Sequence, residues 1–145
     1  MLAVACGHRN ATLAQDHFEP IQEDHSAISE PRSRWQAYGL QNYVFTQNRV
    51  CYCAPPHTVD IVVQNGRVAR VTSDAGEPVA NYHPAMTLTQ MFAWIDTLQQ
   101  HKPARLEVEY DARFGFPARL QLDKSVQMAD DELDLRITAL RRLRK

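Results

Sequence analysis

Cys51, Tyr52 and Cys53 place two thiols one residue apart, at the end of a stretch that reads as a β-strand. Side chains at i and i+2 of a strand leave from the same face, so both sulfurs project from one side, with Pro55-Pro56 ending the strand just beyond. Three chemistries fit: a disulfide in an oxidising compartment, two small buried hydrophobes, or a redox or soft-metal pair. Extended i and i+2 residues hold their Cα atoms about 6.5–7 Å apart, at the edge of what a disulfide spans, so a bend before Pro55 is needed for bonding. A ring that small is strained and easily reduced. His57 adds a third soft donor for Cu(I) or Zn(II). A structural zinc site, however, takes four ligands and a wider spacing between its cysteines, and nothing in the sequence brings His83 up as the fourth. The expectation is a loop histidine beside a disulfide, with no metal and no cofactor.

The remaining polar candidates are Arg49, Tyr110, Asp111, Asp123, Asp130, Asp131 and Glu132. A half-buried arginine usually pairs with a carboxylate, and Glu107, Glu109 and Asp111 are the partners expected for Arg49. Clustered loop carboxylates can hold a hard cation, and Asp111 and Asp130 could meet at one sheet edge, but the spacing matches no EF-hand loop. Solvated turn carboxylates are the simpler reading. Asp111 opens its turn through its own side chain, and Asp131 or Glu132 ties the last strand to Arg119 or Arg136.

These residues need a scaffold, and 145 residues with a net charge of −1 suit one domain with one core. The charge balance gives no bias toward nucleic acid. No run reaches the roughly 18 apolar residues that would cross a bilayer. There is no Gly-rich phosphate loop, no Gly-x-Ser-x-Gly elbow and no His-Glu-x-x-His, so no enzyme is expected.

Met1-Leu2-Ala3-Val4-Ala5-Cys6-Gly7 reads as the end of a bacterial lipoprotein signal, in which small residues precede the cysteine that receives lipid; its basic and most of its apolar part are missing. On that reading Cys6 is the anchor and Cys51 and Cys53 remain as a pair in a compartment that lets them oxidise. Residues 7–31 read as a polar tether, 32–140 as the domain, and Arg141-Arg142-Leu143-Arg144-Lys145 as a solvated basic tail.

Ser33 is expected to cap a short helix over 33–39 ended by Gly39, with Trp35 and Tyr38 on one face. A first strand covers 43–53, with apolar residues on both faces. Val59, Ile61 and Val63 share a face of the next strand, and Asn65-Gly66 gives the turn to 67–72, because both central residues of a type I′ turn need φ > 0. Thr87 and Gln90 form a capping box for a helix over 87–101, whose Leu88, Met91, Phe92, Ile95 and Leu98 make one apolar stripe. Alternation over 106–110, 116–122 and 133–137 gives three more strands. The expected fold is α+β: two layers, with an antiparallel sheet of five to six strands and the main helix across one face.

The ordered set of Trp35 and Tyr38, Tyr43-Val44-Phe45, Arg49 to Cys53, the 58–72 hairpin, Thr87-Leu88 with Phe92, Val108 to Asp111, Gly115-Phe116-Pro117, Asp123 and Asp130-Asp131-Glu132 resembles a bacterial exported family catalogued as domain of unknown function 6174, over residues 33–138. The resemblance implies small secreted proteins or lipoproteins. It implies no activity, substrate or cofactor. Phe116 stands where that motif commonly has Tyr.

The function expected is a non-catalytic envelope lipoprotein that binds another envelope protein or a small ligand, touching the membrane only through its lipid. A thiol-redox or metal-handling protein centred on Cys51 and Cys53, and an exported hydrolase inhibitor, are the alternatives. An exposed apolar patch on the open sheet face would mark the partner site.

Overall fold

A computed structural model describes residues 18–127 and 131–144; Cys6, the expected lipid anchor, and Asp130 lie outside the described residues. The elements are β1 (Phe18–Glu19), α1 (Pro31–Tyr38), β2 (Tyr43–Cys51), β3 (Thr58–Gln64), β4 (Arg67–Thr72), α2 (Leu88–Gln100), β5 (Arg105–Tyr110), β6 (Pro117–Asp123) and β7 (Glu132–Leu143). One antiparallel sheet runs in the order β4-β3-β2-β7-β6-β5, and β1 pairs with β7. The fold is a sheet-dominated α+β domain with two helices.

The local signals act as expected in the hairpin and the main helix. Asn65 and Gly66 have φ of 53° and 76°, the double positive that joins β3 to β4. At α2 the Thr87 side chain accepts from the Gln90 N–H while the Gln90 side chain accepts from the Thr87 N–H. The stripe of α2 buries Leu88, Met91, Phe92 and Ile95, each contributing about 1.5–3 kcal/mol by leaving water. It meets the inward residues of the sheet, among them Tyr43, Phe45, Val59, Ile61, Val63, Leu120, Leu122, Leu135 and Ile137. The first strand's inward face is therefore that of Tyr43, Phe45, Gln47 and Arg49. The buried Tyr43 hydroxyl accepts from the Leu88 N–H at 3.0 Å, fixing the start of α2 on the sheet. Burial pushes its phenol up to about 12.

The short helix begins earlier than expected, and its cap is Glu30. The Glu30 carboxylate accepts from the Arg32 and Ser33 N–H groups at 3.1 and 2.8 Å and from the Ser33 hydroxyl. Ser33 is thus a donor to the cap, three residues inside the boundary. Gly39 ends the helix in the left-handed conformation at φ 60°. The Ser33 hydroxyl, then the Ser33 and Arg32 N–H groups, hold the Glu30 carboxyl below its usual value. A lowered native pKa means stability that is present above the ordinary glutamate range and lost as pH falls through the native value. Glu30→Gln is expected to remove part of the acid-side decline in thermal midpoint measured between about pH 6 and 2; an unchanged acid limb would reject this cap.

Two boundaries differ from expectation. The segment read as tether is docked on the domain from Phe18 onward. Phe18 pairs with Leu143 and Glu19 with Arg142, Ile21 is buried, and Arg34 donates to the Ile28 and Ser29 carbonyls at 2.6 and 3.0 Å. The residues read as a solvated basic tail continue β7 as far as Leu143. Arg141 stacks on Phe18 with its guanidinium 4.6 Å from the ring centroid, Arg142 pairs with Glu23, and Arg144 lies 3.8 Å from Glu19. The break in alternation after Ile137 is a β-bulge: Thr46 pairs with Thr138 but Val44 with Arg141, and Ala139 takes the extra residue at φ 55°.

Candidate functional site

β2 and β7 lie at the centre of the sheet, and Cys51 sits opposite Leu133 at the end of that pair. Glu132 faces Asp123 in β6, and Asp123 faces Arg105 in β5. The loop after β2, the start of β7 and the end of β6 therefore share one end of the sheet. At this end the chain leaves β2, bends through Tyr52 and Cys53, and returns as β3.

Cys51 and Cys53 are joined as a disulfide with their Cα atoms 5.3 Å apart. The bend after the strand supplies the shortening that an extended pair would lack. Tyr52, between them, is 83 % exposed, and Val50 is 63 % exposed. Val126, in the loop between β6 and β7 at the same end, is 83 % exposed. His57 is exposed, and its donor nitrogen and the two sulfurs all lie within 4.8 Å of one another. His83 is tied to this loop through its backbone carbonyl, which accepts from Arg49.

Arg49 is the foundation of the loop. It is only 6 % exposed, and its guanidinium donates to the carbonyls of Ala54 at 2.8 Å, Pro56 at 3.3 Å and His83. It lies 4.0 Å from the Tyr82 ring centroid. Tyr82 in turn donates its hydroxyl to the His57 carbonyl at 3.1 Å, which also accepts the Arg49 N–H at 3.0 Å. Burial pushes the Tyr82 phenol up, and the Arg49 charge opposes this. Gln47, equally buried, donates to the Pro84 carbonyl at 2.7 Å. Two loops, 52–57 and 82–84, are thus bound to the inward face of β2 by side chains that end in backbone carbonyls.

The expected carboxylate partners of Arg49 are elsewhere. Glu107 accepts from Arg105 at 2.7 Å, Glu109 lies 3.8 Å from Arg119, and Asp111 closes its own turn by accepting from the Arg113 and Phe114 N–H groups at 2.9 and 2.7 Å. Among the described residues no carboxylate forms an ion pair with Arg49. The polar motif also divides. Tyr110 and Asp111 end β5, opposite Pro117, at the far end of the sheet from Asp131 and Glu132, so Asp111 cannot join those two in a cation site. The Tyr110 ring lies against Phe92, 6.0 Å between centroids and 7° between planes. The tie to Arg119 and Arg136 comes from Asp134, at 3.1 and 3.9 Å, in place of Asp131 or Glu132. Asp131 Oδ1 is buried with no hydrogen-bond partner among the described residues. Asp123 caps its loop by accepting the Ser125 N–H at 3.2 Å.

The open face of the sheet carries ion pairs: besides the Arg119 network, Arg141 lies 3.8 Å from Asp60, and Thr46 donates to Asp60 at 2.7 Å. Three of the most exposed large apolar side chains, Val50 on this face and Tyr52 and Val126 in the adjoining loops, lie at the disulfide end. No helix of the described residues is long and apolar enough to cross a membrane.

The class defined by this architecture is a small α+β domain with one helix-covered sheet face, one charged face and a disulfide-closed tip. A family model matches residues 27–142, and the chain belongs to that family, described as a family of unknown function (DUF6174). No curated protein and no solved structure matches the chain.

Proposed function

We propose that this domain is a non-catalytic binding module of the bacterial cell envelope, held to the membrane by lipid on Cys6, and that it docks a protein partner on the tip made by Tyr52. The observation that carries the reading is the presentation of Tyr52: a large aromatic side chain 83 % exposed, between two bridged cysteines, on a loop bound from beneath by Arg49. A loop backbone already constrained by a disulfide loses little freedom on binding, and aromatic side chains are enriched among the residues that dominate interface energetics. Val50 and Val126 are further exposed apolar side chains at the same end of the sheet.

The test is capture from cross-linked envelopes with the full-length chain. Tyr52→Ala is expected to weaken capture of a specific partner by about 30-fold, the effect of losing an interface hot spot, with the thermal midpoint unchanged. Equal capture by both forms sinks the tip as the docking site. Mass analysis of the processed N-terminus tests the anchor: an unlipidated Cys6 contradicts it.

A thiol-redox role for the same loop has one observation in its favour. Cys51 and Cys53 are both partly exposed, so a reductant reaches the bond from solvent.

A further inference from the structure

We propose that the reduced Cys51–Cys53 pair and His57 form a three-coordinate site for a soft monovalent metal ion, Cu(I), which the disulfide closes and reduction opens. The proposal depends on the pair being reducible and is independent of whether Tyr52 docks a partner.

The donor set comes first. Two thiolate sulfurs and one imidazole nitrogen are soft donors that select Cu(I) over hard cations. The three donor atoms lie within 4.8 Å of one another with the disulfide intact. Metal–ligand distances of about 2.0–2.3 Å place ligands about 3.5–4 Å apart. The sulfurs therefore separate from bonding distance to that spacing, and His57 closes on them by a small side-chain motion. The His57 backbone is fixed from two sides, by the Arg49 N–H and the Tyr82 hydroxyl at 3.0 and 3.1 Å, so the side chain moves on an anchored base. The loop supplies three donors and, among the described residues, no fourth. That count suits trigonal Cu(I) and falls short of the four protein ligands of a structural zinc site; zinc here would need water as its fourth ligand.

The charge comes second. Two thiolates, a neutral imidazole and Cu(I) carry a net charge of −1. Arg49 is buried directly beneath the loop, donating to the carbonyls of Ala54 and Pro56, with no ion-paired carboxylate among the described residues. Its cation complements an anionic Cu(I) complex, and would face a neutral one with Zn(II) in the same three ligands. The same cation favours the thiolate over the thiol in the reduced state.

The chemistry balances as follows. A dithiol reductant gives two electrons and two protons to the Cys51–Cys53 bond, which breaks to two thiols while the reductant becomes a disulfide. Cu(I) then displaces the two thiol protons to solvent as the two Cu–S bonds form. For release, a disulfide oxidant takes two electrons from the pair and two protons from solvent and becomes a dithiol, while both Cu–S bonds break, the Cys51–Cys53 bond re-forms and Cu(I) leaves unchanged in oxidation state.

The experiment uses the full chain with Cys6→Ser, so that the pair holds its only thiols. Protein reduced by a dithiol, then freed of it under anaerobic conditions, is titrated with Cu(I) buffered by a chromogenic chelator; thiol labelling of a parallel sample measures reduction. The expected result is one Cu(I) per chain for the reduced form and none for the oxidised form. His57→Ala is expected to lower affinity at least about tenfold, since even outer-shell changes cost 10–100-fold at metal sites, with an unchanged thermal midpoint in the metal-free protein. Zn(II) is expected to bind more weakly than Cu(I). A pair that labelling shows to stay oxidised overturns the gate. A pair that is reduced but takes no Cu(I) from the chelator, or binds it equally without His57, overturns the site and leaves a redox role standing.

Discussion

Replacing Arg49 with methionine is expected to lower the free energy of unfolding by about 2–4 kcal/mol. Methionine keeps most of the apolar stem and removes the guanidinium. The carbonyls of His83, Ala54 and Pro56 then lose their donor, and Tyr82 loses the cation over its ring. Two effects oppose each other. A buried cation without a counter-ion is costly, so its removal alone favours the variant. Carbonyls left unpaired in a site 6 % exposed at the arginine cost about 1–3 kcal/mol each until water reaches them. The second effect wins because three acceptors are orphaned and only one charge is relieved. Part of the loss is recovered by the two loops lifting into solvent, so the damage is local as well as global. Amide exchange at Arg49, whose N–H donates to the His57 carbonyl, is expected to rise in the variant relative to the β6–β7 ladder. Arg49→Lys is expected to resemble the methionine variant, because one compact ammonium does not reach carbonyls on both loops as a planar fork does. Denaturant midpoints equal to wild type would show that the loops stand without Arg49.

Gly115→Ala is expected to be as damaging or worse, at about 3 kcal/mol or more. Gly115 has φ +87°, and a Cβ there would lie 2.2 Å from the Pro31 carbonyl oxygen and 3.0 Å from the Trp35 nitrogen and the Arg34 Cβ. Most of the obstruction is backbone of the first turn of α1, which gives way only if the helix moves off the β5–β6 turn. That movement would expose Trp35, whose indole N–H donates to the Thr89 hydroxyl at 2.9 Å and whose ring stands edge-on to Tyr43 and Phe116. Gly39→Ala is the control. It has a comparable positive φ of +60°, with nothing within 4 Å of the added carbon, so only the backbone strain of about 1 kcal/mol applies. Urea midpoints of the two variants measure the contrast, and equal losses would mean that the close approach of α1 to Gly115 is not what the position requires.

The parts of this fold visible in the sequence are those written in short-range chemistry. Asn65-Gly66 needs only its own dihedral preferences, Thr87 with Gln90 only a four-residue box, and Asp111 only the N–H groups two and three residues ahead. The disulfide follows from two cysteines on one strand face and a bend. What escaped is decided between distant segments or by groups that carry no side-chain signature. The central pairing of β2 with β7 joins residues some ninety positions apart. Residues 18–30 are held by arginine-to-carbonyl bonds from Arg34 and Arg113, which leave no periodicity to read. Arg49 shows the same limit at the site. A count of charges points to a carboxylate, whereas the fold satisfies the guanidinium with carbonyls, and every residue offers one of those. Only the combination of a strand-facing arginine with the Pro55-Pro56 pair in the loop just past the strand end hinted at such a grip. The extension of β7 through Arg141 and Arg142 was hidden by the bulge at Ala139, which resets the alternation.

The proposed docking site is the disulfide-closed tip. Its most direct test is a photo-activatable cross-linking residue placed at Tyr52 in the full-length protein inside cells, compared with one at Arg67, an exposed position on the edge strand β4. A discrete protein adduct is expected at position 52 and none at position 67. Adducts of equal yield at both positions, or at position 67 alone, would contradict it.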